Sequence, residues 1–147
     1  MNLNIIKQSE VKILWYSKNI NLIIFQSPFQ VKLFREYNDD IFVDGTFFIA
    51  PKFSYQIFIT RTYSKKLISF YYTTSFAILK KKEQETYKIL FEKLKIKNAN
   101  TCNNNNMIIE PKNLHCDFER GISKAAKTIF PNSIIKYCIW YYKKSLD

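Results

Sequence analysis

Residues 41–49 read IFVDGTFFI, an apolar run too short for an ordinary helix, rich in aromatic and β-branched residues, with one acid, Asp44, at its centre. Apolar side chains on both alternating faces mark a strand buried inside a sheet. Downstream, Pro51 and Lys52 form a turn. Two further runs, SYQIFITRTY (54–63) and LISFYYTTSFAIL (67–79), read as strands joined by the charged turn Ser64, Lys65 and Lys66. Three successive strands with short connections make an antiparallel meander.

The period then changes. Tyr87, Leu90, Phe91 and Leu94 fall on one helical face, with Glu83 and Glu85 at its start and Lys93 and Lys95 at its end, as the helix dipole favours. Residues 98–106, NANTCNNNN, read as a polar low-complexity loop with nothing to bury. A short strand over 113–117 leads into a second amphipathic helix, marked by Ile122, Ala125, Ala126, Ile129 and Phe130 and stopped by Pro131. A last strand spans 134–140. Upstream of the meander, the apolar run at 21–26 reads as a strand or docking segment, and Pro28 with Phe29, Leu33 and Phe34 gives a short helix closing near Tyr37.

The expected class is α/β. It comprises a mixed five-stranded sheet, a three-strand antiparallel meander plus two parallel strands reached through helical crossovers, flanked by helices. Residues 1–40 form an amino-terminal docking segment and residues 41–147 the sheet domain. The order of elements suggests a ribonuclease H-like sheet.

A chain of 147 residues makes one compact domain, and 47% hydrophobic with 17% aromatic residues excludes a wholly disordered one. With 23 Lys and Arg against 12 Asp and Glu, the net charge of +11 calls for a polyanionic partner. The excess is almost entirely Lys, and Ile and Asn are abundant, so AT-rich codons account for part of it. Cys102, Cys116 and Cys138 are an odd, widely spaced set that indicates neither a disulfide framework nor a structural zinc site. The longest uncharged stretches have 13 residues, short of the roughly 20 that a membrane span needs. The start, MNLNIIKQSE, lacks the apolar core of a signal peptide. These features give a soluble intracellular protein, nuclear if its partner is chromosomal DNA, with no membrane association.

Two acids stand out. A carboxylate inside an apolar strand costs several kcal/mol to desolvate unless a cation or metal pairs with it, which singles out Asp44, and Gly45 leaves room beside it. The competing reading is a hairpin turn at Asp44–Gly45. Asp117 closes one strand and opens a helix, at the sheet edge where open α/β sheets bind ligands; equally, it is an ordinary helix N-cap. His115, two residues before Asp117, projects from the same strand face and is either a structural histidine or an added ligand. Lys65, Lys66, Lys80, Lys81 and Lys82 are solvated turns or a phosphate-contacting patch beside Tyr63, Tyr71 and Tyr72.

Three segments, FVDGTFFIAPKFSYQIF, KKEQETYKILFEKLK and LHCDFERGISKAAKTIFPNSIIKYC, lie in an order that resembles the transposase domain of Mutator-like elements, the MULE domain. The likeness covers about residues 41–141. It implies a ribonuclease H-like fold and DDE chemistry, in which three carboxylates hold two Mg²⁺ or Mn²⁺ ions for DNA transposition on double-stranded DNA. Asp44 in DGTF matches the first acid and Asp117 in DFE the second. The family's Cys–x–x–His after the last strand is altered here, since Tyr141 follows Cys138 where the His belongs. The third acid lies in the family beyond the span of this sequence, and neither Glu119 nor Asp147 fits its place. The resemblance therefore implies a carboxyl-terminally truncated DDE transposase domain, inactive alone and able to join an oligomer with full-length transposase. The alternative is a non-catalytic, transposon-derived DNA-binding module.

Overall fold

The amino-terminal hairpin joins β1 (Lys12–Ser17) to β2 (Leu22–Gln26), antiparallel, with Asn21 in the left-handed region at φ 51°. Asn tolerates that conformation better than most residues with a Cβ. These coordinates are a computed structural model that describes residues 12–46, 50–52, 54, 56–65, 70–99 and 108–138. Helix α1 (Pro28–Glu36) starts at a capping box: Gln30 N–H donates to Ser27 Oγ at 3.1 Å and Ser27 N–H to Gln30 Oε1 at 2.8 Å, with Pro28 at the first helical position. The cap satisfies two backbone donors that the helix itself cannot.

The meander follows as β3 (Asp40–Thr46), β4 (Gln56–Ser64) and β5 (Phe70–Leu79), each antiparallel to the next. Helix α2 (Gln84–Ala99), strand β6 (Asn113–Cys116), helix α3 (Arg120–Ile129) and strand β7 (Ile134–Tyr137) complete the order. Strand β6 runs parallel to β3, and β7 parallel to β6. The sheet has seven strands, in the order β1-β2-β5-β4-β3-β6-β7.

The expected meander and two parallel crossover strands are present, but the expected count of five falls short by β1 and β2, which extend the sheet beyond β5. A register shift between Ile13 and Trp15 breaks the alternation by which a strand is recognised, and this hides β1 in the sequence. A second correction concerns residues 98 and 99, which continue α2 and do not open the polar loop. Asn98 is fully buried. Its side chain donates to Leu94 O at 2.8 Å and exchanges two amide hydrogen bonds with Gln26, at 3.0 and 3.1 Å, so its polarity is satisfied inside the protein. Residues 47–49, 55, 66–69, 100–106 and 139–140, parts of the expected strands, of the turn between the second and third, and of the loop, lie outside the described residues.

One core lies on one face of the sheet. Ile41 and Val43 of β3, Phe58 of β4, Leu114 and Cys116 of β6, and Leu22 and Ile24 of β2 join Phe34 of α1, Tyr87, Leu90, Phe91 and Leu94 of α2, and Ile122, Ala125 and Ala126 of α3. Strand alternation sends the intervening residues Phe42, Asp44 and His115 to the opposite face.

Candidate metal and nucleic-acid site

The parallel register of β3 and β6 sets Asp40 against Asn113, Ile41 against Leu114 and Phe42 against His115. Followed two residues further, it brings Asp44 level with Asp117, just past the end of β6. Both acids line one pocket of about 230 Å³, together with Phe42, Arg61, His115 and Cys138. Cys138 is placed there by its N–H, which donates to Cys116 O at 2.8 Å.

The turn reading of Asp44–Gly45 does not hold, because β3 runs straight through: Asp44 pairs with Ile59 and Gly45 with Phe58 on β4. The cap reading of Asp117 does not hold either. The N-cap of α3 is Glu119, and Asp117 Oδ1 instead accepts the Glu119 N–H at 3.0 Å. That short turn fixes the Asp117 carboxylate one step ahead of the helix.

His115 is engaged on two sides. Its Nε2 lies 2.9 Å from Asp40 Oδ1, and its ring stacks on Phe42 with centroids 4.0 Å apart and planes 10° from parallel. Asn113 Nδ2 donates to the same Asp40 oxygen at 3.0 Å. Burial pushes the Asp40 carboxyl up, but the hydrogen bonds of His115 and Asn113, helped by the charges of His115 and Lys136, outweigh it and hold it below the ordinary 3.8.

Behind the acids runs a buried polar chain. Gln56 Nε2 donates to Tyr87 Oη at 2.6 Å, Tyr87 Oη donates to Glu119 Oε1 at 2.8 Å, and Lys82 Nζ pairs with Glu119 Oε2 at 2.8 Å. Burial, with the Glu119 hydrogen bond, lifts the Tyr87 phenol well above its ordinary 10.0, so it remains a donor at any physiological pH. The Cys116 thiol is pushed up to about 12 by burial and by the charges of Asp117 and Glu119, which keeps it a thiol.

The lysines divide. Lys65 ends the β4 side of the β4–β5 turn, beside Glu36, Asp39 and Asp40. Lys80, Lys81 and Lys82 follow the other end of β5, which spans 10 residues or roughly 33 Å of strand. Lys82 reaches the acid site through Glu119, whereas Lys65 lies at the far end of the sheet. Lys66 is outside the described residues. Arg61 and Gln56 lie outside the site residues expected from the sequence, in which Tyr87 figures only on the apolar face of a helix. An Arg inside the apolar run QIFITRTY was the available signal for the first.

Among the described residues, no three His, Cys, Asp or Glu side chains are grouped to hold a metal. What the pocket offers is two carboxylates of the hard-oxygen kind that Mg²⁺ and Mn²⁺ prefer, with volume left for coordinating water. Asp44 and Asp117 are the residues of this pocket that could hold such an ion. No helix among the described residues is long and apolar enough to cross a membrane.

Asp44 within β3 and Asp117 just past the end of the parallel strand β6 thus line one pocket on a strongly basic chain. The model of the MULE transposase domain family matches residues 41–145, and the chain belongs to that family. No characterised protein matches it.

Proposed function

We propose that this chain carries two of the three acids of a DDE-type transposase domain with a ribonuclease H-like fold, acting on double-stranded DNA in the nucleus. The observation that carries the reading is that Asp44 and Asp117, far apart in sequence, line one pocket, Asp44 within β3 and Asp117 just past the end of the parallel strand β6. Asp44 and Asp117 would hold Mg²⁺ or Mn²⁺. When bound, such an ion supplies Lewis-acid activation of the attacking and departing oxygens in phosphodiester cleavage and joining. Lys80 and Lys81, exposed after the end of β5 and close to the β1–β2 hairpin, hold DNA phosphate without reading sequence.

Glu119 does not complete the acid set, since its two oxygens are already taken by Tyr87 and Lys82. The third carboxylate is then supplied from outside the described residues, by this chain or by a full-length transposase in an oligomer. A second reading, a non-catalytic DNA-binding module, is favoured by Arg61 in the same pocket, because a guanidinium can neutralise two carboxylates with no metal present.

Mn²⁺ binding followed by electron paramagnetic resonance separates the two. Binding that is lost in Asp44→Asn and in Asp117→Asn supports the transposase reading; a wild-type chain that retains DNA but not Mn²⁺ supports the binding module. Metal-dependent nicking by the purified chain, abolished in both variants, would overturn the expectation of inactivity.

A further inference from the structure

We propose that Tyr87 is a positioning residue that locks the two acid-bearing segments to each other through Gln56 on one side and Glu119 on the other. The proposal rests on the reading of Asp44 and Asp117 as metal ligands.

The geometry is closed on both sides. Gln56, 1% exposed, is the first residue of β4, and its side-chain oxygen lies against Gly45, the neighbour of Asp44: a Cβ at position 45 would come within 2.2 Å of Gln56 Oε1. The absence of a side chain at position 45 lets the amide occupy the space beside β3 and turn its nitrogen to the phenol, and a methyl there would push the amide aside. On the other side, Tyr87 Oη holds Glu119, two residues past Asp117, and the Glu119 N–H in turn holds Asp117 Oδ1 at 3.0 Å. The Tyr87 ring also lies against Gly121, where a Cβ would sit 3.4 Å from Cδ2 and Cε2, so the ring packs beside the first turn of α3. A single fully buried phenol thus contacts the supports of both acids.

Burying such a chain of polar groups brings little net stability over an apolar packing of the same shape, and what it contributes is a defined arrangement. The arrangement defined here is the spacing of two carboxylates on separate strands. Partners of this kind, one shell behind the ligands, typically change metal affinity by about 10- to 100-fold when removed.

The test compares Tyr87→Phe, which keeps the ring and removes only the hydroxyl, with Phe91→Leu, which disturbs the neighbouring core and leaves the polar chain intact. Gly45→Ala is the second probe, since its methyl displaces the Gln56 amide. Two readouts are taken on the full chain: Mn²⁺ affinity by paramagnetic resonance, and hydrogen–deuterium exchange over residues 40–46 and 116–120. Expected are an Mn²⁺ affinity about 10-fold weaker or more in Tyr87→Phe, faster exchange in both segments together, and an unchanged affinity in Phe91→Leu. Gly45→Ala should reproduce Tyr87→Phe, and the two combined should cost little more than either.

Unchanged exchange in both segments of Tyr87→Phe, or an affinity loss in Phe91→Leu equal to that in Tyr87→Phe, overturns the proposal. If Asp44→Asn leaves Mn²⁺ binding untouched while Tyr87→Phe loosens both segments, the metal reading fails and the mechanical coupling stands.

Discussion

Asp44 and Asp117 occupy equivalent places on neighbouring parallel strands: each lies two residues beyond the Phe42–His115 pair, whose rings stack 4.0 Å apart. That stack, with His115 tied to Asp40, sets the register on which the two carboxylates depend. The site thus draws one acid from inside β3 and one from just past the end of β6.

Loss of either acid should have the same effect. Asp44→Asn and Asp117→Asn are each expected to weaken Mn²⁺ binding by about 10-fold or more, which is ~1.4 kcal/mol, and the double variant to lose less than the sum. Isothermal titration of the three variants checks this. A large loss in one single variant beside none in the other would mean that the acids do not share an ion.

DNA retention should fall steeply with salt, because each phosphate neutralised by lysine contributes ~0.9 to the logarithmic slope. Lys80→Ala with Lys81→Ala should reduce that slope by ~1 to 2. Lys65→Ala should barely change it, since Lys65 stands beside Glu36, Asp39 and Asp40, which repel phosphate. Filter binding of one duplex across a salt series measures all three.

The Gln26–Asn98 amide pair is a stability element. Gln26→Leu or Asn98→Leu strands the partner amide in the interior and should cost about 1–3 kcal/mol in urea unfolding. The double change should cost less than the two singles combined, since it leaves fewer unpaired groups than their sum. Gln26 also donates to Thr74 O at 2.9 Å and Asn98 to Leu94 O at 2.8 Å, so each single variant removes one further hydrogen bond as well.

Stability should decline at both ends of the pH range for different reasons. The Asp40 carboxyl is held below 3.8, so its contribution is present above that value and is lost as pH falls through the lower folded value. The melting-temperature gap between wild type and Asp40→Asn should therefore close in acid. Cys116 works in the opposite sense: raised from 9.0 to about 12, it favours the folded state below pH 9, an advantage lost as pH rises between those two values. Consistent with a buried thiol, Cys138 should alkylate under native conditions well before Cys116, as peptide mass mapping would reveal.

Much of the site was legible because an acid inside an apolar strand, and another at a strand-to-helix junction, are locally anomalous. The meander and both later helices were legible because their hydrophobic periods are clean. What escaped was either locally irregular or locally ordinary. Strand β1 carries a register shift, so its side chains do not alternate as a strand should. Asn98 sits at the edge of an asparagine-rich tract, and only the three-dimensional approach of Gln26, 72 positions away, makes it a core residue. Gln56, Tyr87 and Glu119 each have an unremarkable local setting, and their hydrogen bonds span 31 and 32 positions. The lysines that seemed one patch are separated by the length of β5, a distance that spacing along the chain does not convey.

The order of the strands has a kinetic consequence. β3, β4 and β5 are neighbours along the chain as well as in space, while β6 reaches β3 across 73 positions, the separation of the Asp40–Asn113 hydrogen bond. Closing so long a loop must precede any reward from the parallel pairing, so hairpin contacts form early and the β3–β6 pairing late. The two acids are brought together by that last step. A nascent chain therefore acquires its paired carboxylates only after the whole segment from β3 to β6 has been made and folded back, so a chain in which only the meander has formed holds the two acids apart.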